Sequence, residues 1–98
     1  GNLCNLCIEP TIHLQPGQKL DTGKPELPSP FLSGASLRIA FKGTLHIRLG
    51  SHIDADFTSD GTNSIHLSSY FLNEQPDVQI TAVSGTTISY FTFKASEF

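Results

Sequence analysis

From Leu37 to the end of the chain, apolar residues recur at every second position, and this period of two constrains the fold more than any other feature. In SLRIAFK, Leu37, Ile39 and Phe41 share one face, while Arg38 and Lys42 take the other. TLHIRL repeats the pattern with Leu45, Ile47 and Leu49 inward and His46 and Arg48 outward. IDADF sets Ile53, Ala55 and Phe57 against outward Asp54 and Asp56, and SIHLSSYFL keeps Ile65, Leu67 and Phe71 in phase. VQITAV and TTISYFTFKA complete the series. No stretch carries the apolar stripe of a helix. Turn chemistry separates the runs at Gly43, Gly50-Ser51, Asp60-Gly61, NEQPD (73–77) and Ser84-Gly85. About six strands spaced roughly 8–12 residues apart predict an all-β fold, a small antiparallel β-sandwich.

The last run differs from the others. Plain alternation puts Ile88 and Tyr90 on one face and Phe91 and Phe93 on the other, so both faces are apolar. A strand wetted on one side does not read this way. Two coverings are open: the chain's own loops, or a neighbouring copy. The second makes Ile88, Tyr90, Phe91 and Phe93 candidate subunit-interface residues. It also suits the size of the chain, since a 98-residue domain buries only about 60–65% of its unfolded surface and gains from self-association.

Ahead of this body lies LDTGKPELPSPFLS, where Pro25, Pro28 and Pro30 each remove a backbone donor and exclude a central strand. The expected organisation is an extended segment over 1–20, a Pro-rich linker or wrapping loop over 21–33, and a β-domain over 34–98. The chain contains no Met and starts at Gly1, which reads as a fragment of a longer protein. No run of eighteen apolar residues exists, so no membrane insertion is expected. The net charge is −3 and the six basic residues are scattered, which argues against nucleic acid as a partner.

Catalytic and metal motifs fit poorly. Cys4 and Cys7 form CNLC, but no strand–helix setting for a redox pair follows, and His13, His46, His52 and His66 do not complete a zinc site. An extended backbone sets the two cysteines about 10 Å apart, too far for a mutual disulfide, leaving idle thiols or a link to another chain. His46 and His66 read as surface histidines. DADFTSDG fails as an EF-hand loop, because Ser59 stands at the glycine position and Ile65 at the glutamate position. No nucleophile elbow, phosphate loop or dinucleotide fingerprint occurs. The reading is a protein that is not an enzyme and needs no cofactor, with no catalytic residues and no metal ligands.

The N-terminal segment suggests a family. PTIHLQPGQKL has alternate apolar residues at Ile12 and Leu14, a turn at Pro16-Gly17, and Leu20 beyond it. This resembles one repeat of the fibrous shaft of adenovirus fibres, and ISYFTF resembles the aromatic strand that closes their heads. The Thr-Leu-Trp signature that opens many such heads is absent, as the chain has no Trp. The resemblance implies a homotrimeric attachment head at the virion surface that binds a host-cell receptor, glycan or protein. A bacteriophage receptor-binding head is the nearest alternative to that reading.

The candidate receptor loops are the two polar turns: Ser59, Asp60, Thr62 and Asn63, and Asn73, Glu74 and Gln75. The rival reading is a monomeric bacterial surface or carbohydrate-binding β-sandwich, with Tyr70 as an aromatic platform because its phase opposes that of Phe71.

Overall fold

The computed structural model describes residues 6–8, 11–20, 32–72 and 77–97, and their regular structure is entirely extended strand. The strands are β1 (Leu6–Ile8), β2 (Ile12–Leu14), β3 (Lys19–Leu20), β4 (Leu32–Leu49), β5 (Ile53–Leu72), β6 (Val78–Ala82) and β7 (Thr86–Glu97). All pairings are antiparallel within one sheet. The expected all-β antiparallel architecture is therefore the observed one.

β4 is the spine. One edge pairs with β5 along its whole length, from Leu32 opposite Leu72 to Leu49 opposite Ile53. The other edge pairs with β7 over Ser33–Lys42 and with β6 over Leu45–Leu49, so β6 and β7 lie end to end. β1 and β2 pair with β7, and β3 pairs with β6. The stretch that carries the shaft-like pattern thus runs along the edge of the sheet, and Leu14 and Leu20 enter its core. β4 begins at Leu32, two residues before the expected start of the body. The rest of the Pro-rich segment, 21–31, lies outside the described residues.

Two of the expected turns are kinks instead. Gly43 and Gly61 have φ of 129° and 90°, the conformation that glycine chemistry promised. The strands nevertheless continue through both. Ala40 pairs with Ser64 and Lys42 with Asp60, so Phe41 alone faces Gly61, Thr62 and Asn63. On the opposite edge Ala40 pairs with Tyr90 and Phe41 with Ile88, which leaves Ser89 as an extra residue. Such insertions bend a strand and increase its twist. Here both flank Phe41, and the sheet folds over itself at that line into a barrel-like sandwich. His52, just before β5, stacks on Phe71 near its end, with ring centroids 4.4 Å apart.

The insertion at Ser89 corrects the reading of β7. One extra residue reverses the alternation, because the side-chain period is two. Ile88, Phe91 and Phe93 all point into the chain's own core and are at most 1% exposed, whereas Tyr90 is 36% exposed. They join Leu37, Ile39, Phe41, Leu45, Ile47 and Leu49 of β4 in one cluster. Each such side chain contributes roughly 1.5–3 kcal/mol by leaving water. The apparent second apolar face of β7 arose from counting through a bulge. In β5 the insertion is of two residues, so the phase survives and Phe57, Ile65, Leu67 and Phe71 all face the core. Ala55, expected inward, is exposed.

Candidate functional site: the outer side of strand β5

β5 is twenty residues long and, among the described residues, pairs only with β4. Its kink creates a shallow, open depression of about 370 Å³ lined by Thr58, Ser59, Asp60, Asn63, Ser64 and Ile65. The depression exists because Gly61, Thr62 and Asn63 oppose the single residue Phe41 and bulge away from β4. Three of the four sequence-selected residues of this segment, Ser59, Asp60 and Asn63, line it. The fourth, Thr62, shapes it: its backbone N–H donates to Asp60 Oδ1 at 2.9 Å. Ser59 Oγ accepts from the Gly61 N–H at 3.2 Å. Hydrogen bonds from the Thr62 hydroxyl and backbone hold the Asp60 carboxyl below its ordinary value, and Lys42 across the strand pair adds to the effect. The depression therefore presents a carboxylate, an amide and several hydroxyls beside one apolar side chain.

The other sequence candidates are distributed differently. Asn73, Glu74 and Gln75 lie outside the described residues. Ile88, Phe91 and Phe93 are interior, so of the proposed interface set only Tyr90 reaches the surface. Tyr70 is 66% exposed on the outer side of β5, and Leu72 two residues on is 70% exposed. Cys4 lies outside the described residues, and Cys7 is placed in β1 opposite Thr92.

A second polar cluster, on the β4–β5 ribbon, escaped the sequence reading. His46 stands opposite Asp56 in register. Its Nδ1 lies 2.7 Å from Asp56 Oδ1, and its Nε2 lies 2.5 Å from Asp54 Oδ1. Both ring nitrogens can donate at once only when the ring is an imidazolium. The bonds to Asp56 and then Asp54 raise its pKa above 6.5. Arg48, opposite Asp54 in register, turns away and donates from Nε to the Gly50 carbonyl at 3.4 Å. Outward phase placed all four residues on one face, and the Gly50-Ser51 turn set them opposite one another. Only the pairing register, which follows from that turn, was needed to find the cluster.

The remaining histidines are hydrogen-bonded to hydroxyls: His13 to Thr87 at 3.0 Å, His52 to Ser69 at 2.6 Å and His66 to Ser36 at 2.9 Å. Among the described residues no group of three or more His, Cys, Asp or Glu side chains is arranged to hold a metal ion. No protein-family model matches this chain, and no curated protein or solved structure is detectably similar to it.

Proposed function

We propose that this chain is a non-catalytic binding head that holds a host cell-surface receptor, glycan or protein, against the outer side of β5. The observation that carries this reading is the depression at the β5 kink, where Ser59, Asp60 and Asn63 converge beside Ile65. Carboxylate and amide groups accept from and donate to sugar hydroxyls or peptide groups, and an apolar neighbour shields those bonds from water. The site is built on a strand within a sheet, so its geometry is set by the β4–β5 register rather than by a free loop.

In the fibre-type form of this reading the head sits at the virion surface and acts as three copies, with avidity compensating for weak single sites. The aromatic strand no longer supports that form, since Ile88, Phe91 and Phe93 are covered by their own chain. Light scattering separates the cases: a trimer supports the fibre form, and a monomer removes it while leaving the β5 site in place.

The exposure of Tyr70 favours a second reading, a monomeric carbohydrate-binding module that stacks a sugar ring on the Tyr70 face. The two are told apart on a glycan and receptor array. Loss of binding in Asp60→Ala/Asn63→Ala with retention in Tyr70→Ala supports the depression, and the reverse supports the aromatic platform. Binding unchanged in both variants overturns both.

A further inference from the structure

We propose that His46, Asp54 and Asp56 form a proton-dependent clasp between β4 and β5, closed when His46 is protonated and opened by its deprotonation. The geometry requires it. Each ring nitrogen faces a carboxylate oxygen, at 2.7 Å for Asp56 and 2.5 Å for Asp54. An imidazolium satisfies both oxygens by donating twice. A neutral imidazole keeps one N–H, so its other nitrogen sets a lone pair against a carboxylate and that contact turns repulsive. The ring and both carboxylates are well exposed, so protons exchange freely with solvent.

The surroundings leave His46 as the group that switches. On β4 itself the nearby charge is Arg48, which bonds the Gly50 carbonyl. β5 contributes Asp54 and Asp56. On the opposite side β6 presents Thr81 across from His46 and Gln79 across from Arg48, neither of which titrates. Beyond Thr81, β3 presents Lys19.

The sign follows from the raised pKa of His46. A group that binds its proton more tightly in the folded state stabilises that state fully below its unfolded pKa. The contribution disappears as pH rises through the folded value. The clasp therefore holds the turn end of the β4–β5 ribbon in mildly acidic solution and releases it on the alkaline side of that value. The ribbon end lies on the same strand as the depression at 58–65, but the clasp stands independently of any ligand there.

The test is imidazole nitrogen NMR of the intact protein through a pH titration, on wild type, Asp56→Asn and His46→Gln. The expected result is that His46 titrates above 6.5 with both nitrogens protonated below that point, and that Asp56→Asn lowers its pKa. Amide exchange protection across Thr44–Phe57 falls as His46 deprotonates in wild type, and this step is missing in His46→Gln. A His46 that titrates at or below 6.5, or that is unmoved by Asp56→Asn, overturns the proposal. So does an identical protection step in His46→Gln.

Discussion

His52 stacks on Phe71 with rings inclined by only 17°, although one residue immediately precedes β5 and the other nearly ends it. A straight strand of twenty residues spans roughly 60 Å. The whole molecule is only 37 Å along its longest axis. β5 must double back, and the His52–Phe71 stack is where its two ends meet. Phe71 is fully buried, and its replacement by Ala is expected to cost about 3–5 kcal/mol in urea unfolding. His52→Ala is expected to cost about 1 kcal/mol. The double variant should show coupling of about 0.5–1.5 kcal/mol, and strict additivity would contradict the stack.

The bend also depends on a missing side chain. At Gly43 a Cβ would meet Thr86 Oγ1 at 2.6 Å and the Gly85 carbonyl at 2.9 Å, on a backbone with φ of 129°. Thr86 is itself fixed, because its buried hydroxyl donates to the Ser84 carbonyl at 2.9 Å. Gly43→Ala is expected to destabilise by about 2 kcal/mol or more. Gly85→Ala meets nothing within 4 Å and should stay within about 0.5 kcal/mol of wild type. Equal losses at the two positions in chemical denaturation would show that close approach at Gly43 does not set the fold.

The β7 bulge yields a sharper contrast. Tyr90→Ser alters a partly exposed side chain, whereas Phe91→Ser puts a hydroxyl into the core. Thermal unfolding should show a small change for the first and a loss of several kcal/mol for the second. Deleting Ser89 removes the extra residue and leaves Ile88, Phe91 and Phe93 on one face by plain alternation, so it should cost less than Phe91→Ser. A Ser89 deletion that costs as much as Phe91→Ser or more would contradict the bulge and restore the uninterrupted alternation first expected.

Asp60 gives a pH prediction of opposite sign to His46. Its carboxyl is held below its ordinary value of 3.8 by hydrogen bonds from Thr62. A lowered pKa stabilises the folded state above the unfolded value, and the effect is lost as pH falls through the folded one. The Thr62 amide resonance should therefore report an acid transition below 3.8 in wild type, absent in Asp60→Asn. A transition at or above 3.8 would break the assigned bond.

Most of the inward set was legible because alternation survives wherever insertions come in even numbers or not at all. β4 keeps its phase from Leu37 to Leu49, and β5 keeps it across a two-residue insertion. β7 failed by one residue, and nothing in the local sequence Ser89-Tyr90 marks a bulge. Gly43 and Asp60-Gly61 declared positive φ but not its use, since a hairpin turn and a strand kink ask the same of glycine. The polar residues of the depression were visible as turn chemistry. The His46 clasp was not, because it is a property of register between two strands rather than of spacing along one.

The central functional claim is that the ligand sits in the kink of β5, and chemical-shift mapping of isotope-labelled protein against a ligand recovered from a glycan and receptor array tests it most directly. The account predicts shifts concentrated at residues 58–65 and abolished by Asp60→Ala/Asn63→Ala. Shifts centred on Tyr90, Val83 or the β2–β3 edge, with 58–65 unmoved, would contradict it.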